Sequence, residues 1–436
     1  MSLSALIFLA SFASAALLCL FRSPFFGIIL YEYQYFQNPP VRWWWGEIPH
    51  LRYSYIIMLI LLVSYVMRNK EFSANRLMDI PSFQWLAGMT LIVLLGCLWC
   101  VDADIHQKLT IQFFKYIVFI FLFYKIIDSQ KHFDISLFFY LLGVFYWCWV
   151  AWQMGRTGDG RLEGIGGPDC AAVNGAAAVM ATAVPLMIYF ILFAANKWYK
   201  FATLVGLTFV LNGLVLLNSR GAFLATMASV GWFATTIFRE KGLGSRKWKM
   251  VAGMIGGALL FVYLADDLFW SRMETLQNVD PEEGSGHRML YWLKTFEMLA
   301  DHPLGAGAMG FQILSPAYLP AEWLTGGQRA VHSTWFEVLS EYGYQGFVVF
   351  LGYIASTFFL ARKVKRYLRK KGDQLHLLQL VALEASFVAF LVAATFINRF
   401  YAEILYWLPA FIAAFANIYM IKPQREEADE RLKIDN

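Results

Sequence analysis

Residues 171–194, AAVNGAAAVMATAVPLMIYFILFA, run 24 in a row without a charged side chain. A helix rises about 1.5 Å per residue, so this run reaches about 36 Å, enough to cross the ~30 Å apolar slab of a bilayer. Similar runs recur at 3–21, 24–37, 51–67, 82–101, 111–127, 135–153, 200–217, 220–238, 250–267, 343–361, 378–397 and 401–421. The run at 24–37 is short for a crossing and reads as re-entrant, or as a tilted crossing finished by its Tyr and Phe residues. The expected fold is therefore all-α: a polytopic integral membrane protein of 12–13 transmembrane helices, each satisfying its own backbone groups in lipid. Composition agrees, with 59% hydrophobic and 15% charged residues among 436, against roughly 25% charged in soluble domains. The runs leave no room for a separate soluble domain. Of the five cysteines, Cys97 and Cys100 spell CxxC inside LLGCLWCV, where a buried thiol pair on one helix face is expected rather than redox or metal chemistry. The first apolar run lacks the basic n-region of a signal peptide and leads into more membrane.

Charge placement orients the chain. Residues 362–371, RKVKRYLRKK, hold seven Lys/Arg and no acid, and 239–249 hold five against one Glu. The positive-inside rule puts both in the cytoplasm, in contact with anionic membrane lipid, and the long loop 268–331 outside. These basic stretches are explained by topology, so no nucleic-acid partner is expected. Three parts follow: N-terminal transmembrane helices over 1–153, a transmembrane region over 154–421 that includes the extracytoplasmic loop 268–331, and a cytoplasmic tail 422–436. The tail is polar and expected to be disordered. Within the loop, acidic DPEEGSG precedes HRMLYWLKTFEMLADHP. There Met289, Trp292, Leu293, Phe296, Leu299 and Ala300 keep a helical period, and an amphipathic helix on the membrane surface is expected. Gly305, Gly307 and Gly310 suit close backbone packing or sharp turns.

The chemistry-bearing stretch is His332–Gly346, HSTWFEVLSEYGYQG. Trp335, Val338, Leu339 and Tyr342 fall at i, i+3, i+4 and i+7, one apolar helical stripe, with Glu337 and Glu341 off it in line with Ser333. His332 at the first turn feels the positive helix end, which favours neutral imidazole, a proton acceptor. Capping an interfacial helix is the simpler role for it. Arg220, in LNSRGAFLAT, stands at the outer mouth between two spans, where snorkelling to lipid phosphate is the simpler role. Arg161, Arg288, Arg329 and Arg399 also belong to the outer face, and converging guanidiniums suit a ligand with two phosphates. His287, His302 and His332 are scattered, with no HExxH among them, so no metal site and no cofactor is expected. No Walker loop or GxSxG elbow occurs, so energy for a reaction outside the membrane arrives with an activated substrate.

His332–Ser333, nine residues, then Gly343 and Gly346 resembles the H[NSQ]-x9-GxxG signature of the O-antigen ligase and polymerase family. Arg220-x3-Leu224 resembles that family's R-x3-L element, and SGHRMLYWLKTFEMLADHPLGAGAMGF its loop segment before the His motif. The resemblance covers roughly 160–400. The N-terminal FRSPFFGIILYEYQYFQNPPVRWWWGE is similar to the subgroup of O-glycosylation ligases associated with exosortase systems. The resemblance implies a GT-C-like, metal-independent glycosyltransferase of the bacterial inner membrane, with its site on the periplasmic side. The donor would be a glycan on undecaprenyl pyrophosphate, and the acceptor lipid A–core, another glycan or a protein. Pyrophosphate leaves without a general acid, so the site needs cations and a base. Arg220 and Arg288 suit the first task with Arg161 assisting, His332 the second, and Ser333, Glu337 and Arg329 contact substrate. A Wzy-type polymerase shares the fold and donor. A lipid-linked glycan transporter or a non-catalytic scaffold are readings of other classes.

Overall fold

The computed structural model describes residues 1–434 apart from 73, 157–161, 171, 242, 275–285 and 325. Arg161 and the acidic stretch 280–283 lie outside the described residues. The described chain is a bundle of helices: α1 (Leu3–Phe21), α2 (Phe25–Gln37), α3 (Tyr53–Met67), α4 (Pro81–Leu95), α5 (Ala103–Ile126), α6 (Gln130–Met154), α7 (Val173–Phe193), α8 (Lys197–Leu217), α9 (Arg220–Arg239), α10 (Ser245–Leu264), α11 (Asp267–Glu274), α12 (Gly286–Asp301), α13 (Gly310–Tyr318), α14 (Thr334–Lys371), α15 (Gln374–Ala394), α16 (Ile404–Ala416) and α17 (Lys422–Ile434). Among the described residues, 11 helices are long and apolar enough to cross a membrane, and α3 is a shorter apolar one.

The short α2 also runs from one face to the other. Arg68, just past α3, donates to Leu20 O at the end of α1 (2.8 Å), while the Ser2 backbone N–H meets Glu47 ahead of α3. The ends of α1 and α3 therefore share a face, and α2 connects it to the opposite one. At 13 residues it spans about 20 Å. Nine of its residues are buried, so protein rather than lipid sets the length it must match.

Helices α7, α15 and α16 form the centre, buried along nearly their whole length. Helix α7 achieves this with Gly175, Ala176, Ala177, Ala178, Ala181 and Ala183, small residues that let backbones approach without the help of a hydrophobic driving force. Helices α1, α4, α9 and α10 keep exposed Leu, Ile and Met on the perimeter, as lipid-facing helices do.

One face carries the long loop with α11 to α13, and the opposite face carries the basic stretches. The loop is itself folded. Tyr291, Met298, Phe311, Leu319 and Val331 form a small core beneath α12 and α13. The apolar residues of α12 split between two sides: Tyr291 and Met298 face this core and Leu299 is also buried, whereas Met289, Leu293 and Phe296 are exposed.

Two expectations are corrected. The tail from Lys422 is helical, not disordered: α17 continues α16 through a π turn at Asn417–Ile421. Arg425 ties it to Ala74 O (2.6 Å) and to Asp79, and Lys371 pairs with Glu427 (2.6 Å), so charge pairing does what apolar burial does elsewhere. Cys97 and Cys100 are not a buried pair on a helix face. Helix α4 gives way at Gly96 to a 3₁₀ turn, leaving Cys97 exposed and Cys100 half-buried, both as free thiols.

Candidate functional site

The site begins with a break in α14. Gly343 has φ 63° and ψ −170°, a region open essentially only to glycine. Its Cβ position lies 2.7 Å from Pro303 O, so a side chain has neither the dihedrals nor the space. The break frees carbonyls at the end of the short helix 334–342, and the glycine-rich loop supplies donors for them. Ala306 N–H donates to Ser340 O and Gly307 N–H to Glu341 O, both at 2.9 Å. Gly305 must be glycine for the same contact, because a Cβ there falls 2.4 Å from Glu341 O. The GxGxxG run is thus a docking surface for a broken helix.

A second loop, 395–403, grips the other side of this helix. Ser333 N–H donates to Asn398 Oδ1 (3.1 Å), the Thr334 hydroxyl to Ile397 O (2.8 Å), and the Trp335 indole to Thr395 Oγ1 (3.0 Å). Glu337 accepts from Phe400 N–H (2.9 Å), and Glu341 accepts from both Met309 N–H (2.7 Å) and the Tyr401 hydroxyl (2.9 Å). The two carboxylates therefore do not lie on a polar outer side. Both are buried and fasten loops, which corrects the reading of a single apolar stripe: the stripe is real, but the opposite side is buried as well.

His332 is held at the start of this assembly with φ 54°. That is an uncommon conformation for a non-glycine residue, and one that marks an over-determined site. Burial pushes its pKa down to about 4, and the charges of Arg288 and Arg329 add to the effect. Burial and the two guanidiniums thus both favour the neutral imidazole. Trp292 fixes α12 against it by stacking on Phe336 (5.2 Å, 5°) and donating to Val331 O (3.2 Å). Arg288 lies one turn before Trp292. The Arg329 guanidinium sits 5.9 Å from the Tyr291 ring. Ser333 is fully buried, its Oγ has no hydrogen-bond partner among the described residues, and it does not cap α14.

Arg220 is the first residue of α9, whose cap Ser219 accepts from Ala222 N–H (3.4 Å) and donates to Asn174 Oδ1 (2.9 Å). It lines a cavity of ≈ 50 Å³ together with Arg272, Arg288, Asn174 and Ile397. That is room for a few waters or one phosphate group. Arg288 therefore faces two ways, toward the Arg220 cavity and toward His332. Arg272, on the short α11, was not singled out from the sequence. The only signal was its cationic character in the loop. Arg399 is not in this group: it packs against Gly175 of α7 and donates to Asp169 O. Arg161 cannot be placed, lying outside the described residues.

Residues 205–351 match the family model described as O-antigen ligase. No curated protein matches the chain. The matched segment contains Arg220, Arg272, Arg288, Arg329 and His332, and it points to glycan ligation or polymerisation. Residues 205–351, set in a bundle of membrane-length helices, are thus similar to the O-antigen ligase family over about a third of the chain.

Proposed function

We propose that the chain transfers a glycan from an undecaprenyl-pyrophosphate carrier to an acceptor hydroxyl on the periplasmic side of the bacterial inner membrane. The observation that carries this reading is the double position of Arg288, which lines the arginine cavity and also lies close enough to His332 to lower its pKa. In the proposed step the acceptor oxygen attacks the anomeric carbon while its proton passes to the His332 imidazole. The bond from that carbon to the pyrophosphate oxygen breaks, and Arg220, Arg272 and Arg288 hold the departing charge, which planar guanidiniums grip bidentately. Arg329 adds positive potential beside His332. The unpartnered Ser333 Oγ is available to an incoming hydroxyl. Glu337 acts through the loop it anchors, and Arg161 keeps its sequence-based place as a donor contact. Ligation and polymerisation share this chemistry and differ only in the acceptor.

The test uses full-length protein in nanodiscs with lipid-linked donor extracted from the cells that express it. His332→Ala is expected to lose 10²–10⁴-fold of transfer, the usual worth of a general base. His332→Gln keeps a hydrogen-bonding group without the base and should fall nearly as far. Arg220→Lys and Arg288→Lys retain charge but not the fork, and each should lose about tenfold or more. Wild-type turnover in both His332→Ala and Arg220→Lys overturns the reading.

A further inference from the structure

A second cavity, of ≈ 450 Å³, lies at the other end of loop 395–403 on the same face. Its size falls within the ~300–1,000 Å³ of small-ligand sites. The walls come from the end of α2 and the segment 38–55, which is firmly built. Arg42 donates to Gln37 O (2.6 Å), Phe36 O (3.1 Å) and Ile165 O (3.3 Å), and Asn38 Nδ2 donates to Gly166 O (3.0 Å). Trp45 forms part of the lining, its ring stacked on His50 at 4.5 Å and 8°. Lys115 and Arg52 bring positive charge to the lining.

The floor is a buried carboxylate. Glu403 is only 5% exposed, yet it lines the cavity. One oxygen accepts from the Tyr31 hydroxyl (3.0 Å), and the other, Oε2, has no hydrogen-bond partner among the described residues. Its backbone N–H donates to Asp169 Oδ2 (2.6 Å), and Tyr35 donates to Asp169 Oδ1 (2.7 Å), so the group cannot swing away to find water without breaking this frame. A buried carboxylate oxygen left unsatisfied is costly unless a ligand donor reaches it. An apolar chain offers no donor, and a fully ionised phosphate brings none to Glu403 either. A sugar fits: its hydroxyls donate to Glu403, its C–H faces lie against the Trp45 ring, and its acidic substituents meet Lys115 and Arg52.

We propose that this chamber is a saccharide-binding subsite serving the His332 centre. The proposal rests on the glycosyl-transfer reading and extends it to where the glycan lies. Loop 395–403 joins the two places: Asn398 holds the His332 end and Glu403 floors the chamber. Fully extended, the five residue steps from Asn398 to Glu403 span at most about 18 Å, within reach of one bound oligosaccharide. Every residue lining the chamber falls outside the matched 205–351. The chemistry therefore sits in the family segment and the recognition of a particular glycan outside it, as sites grafted on a shared fold do.

Binding is measured directly on full-length protein in nanodiscs by calorimetry. Two lipid-free oligosaccharide fractions from the expressing cells serve as probes, one released by mild acid from the carrier lipid and one released from finished envelope glycoconjugates. Wild type and His332→Ala should bind one fraction equally, identifying the glycan as donor or acceptor. Trp45→Ala and Glu403→Gln should bind it at least tenfold more weakly, whereas Trp45→Phe, which keeps a ring, should retain most affinity and so exclude a folding defect. Equal binding by all of these proteins, or binding of neither fraction by the wild type, overturns the subsite. Full transfer by His332→Ala with the binding pattern intact would instead sink the catalytic reading and leave the subsite standing.

Discussion

In the proposed reaction His332 is a base that is weak until the substrate arrives. With a pKa near 4 in the unliganded protein it is neutral throughout the physiological range but a poor proton acceptor. Burial is the largest cause and the charges of Arg288 and Arg329 add to it; in the proposed reaction a bound pyrophosphate would offset their part. On the proposed reading, donor binding would raise the basicity of the imidazole and couple proton transfer to a loaded site. The sign follows directly: protonation removes the base, so activity falls as pH drops through the His332 pKa. The acid limb of kcat/KM reports the free enzyme and should lie near pH 4, while the limb of kcat at saturating donor should lie higher. Arg329→Gln removes one of the lowering charges and should move the kcat/KM limb upward. Limbs that coincide, and that do not move in Arg329→Gln, refute the coupling. The sequence put His332, Arg220 and Arg288 forward by type and spacing. It did not reveal Arg272, because an arginine on a short loop helix has no periodicity to announce it.

At the scale of elements, the break at Gly343 explains why the His motif ends in glycine. The residue terminates one helix, starts another, and exposes the carbonyls on which 305–309 docks. Gly343→Ala imposes a strained backbone, of order 1–3 kcal/mol, and a Cβ 2.7 Å from Pro303 O. It should lower the unfolding temperature and loosen the loop, seen as faster amide exchange at Ala306 and Gly307. Slow exchange there in the variant, at wild-type stability, would show that the break is tolerated by other means. The spacing of Gly343 behind His332 was visible in the sequence, and so was the close-packing role of Gly305 and Gly307. What they pack against was not, since pairing 305–309 with 340–341 is a long-range contact. The same limit hid the buried state of Glu337 and Glu341: their partners, Phe400, Tyr401 and Met309, lie about 30 to 60 residues away in the chain.

For the whole molecule, the apolar runs made the helical bundle legible, while the tail showed where composition misleads. Polar residues with no apolar face looked disordered, yet α17 is anchored by Arg425 and Glu427 to parts of the chain that the local sequence does not mention. The bundle has two chemically different faces. The loop face carries the arginine cavity, His332 and the Glu403 chamber; the other carries 362–371 with its seven Lys/Arg. Helix α14 joins them: beyond its break at Gly343, residues 344–371 reach about 42 Å, more than the ~30 Å apolar slab, so Arg369, Lys370 and Lys371 at its end stand clear of lipid tails. The positive-inside rule then predicts an orientation with these residues in the cytoplasm and the site outside. In a cysteine-free background, Glu322→Cys on the loop face and Lys370→Cys on the basic face are both exposed reporters. A membrane-impermeant maleimide added to intact spheroplasts should label Glu322→Cys and spare Lys370→Cys until the membrane is opened. The reverse pattern would place the histidine among cytoplasmic nucleotides and soluble donors, and a carrier-lipid substrate presented at the periplasmic surface would have to be abandoned. Labelling of both in intact spheroplasts would break the two-faced bundle itself, because α14 could not then connect opposite sides of one membrane.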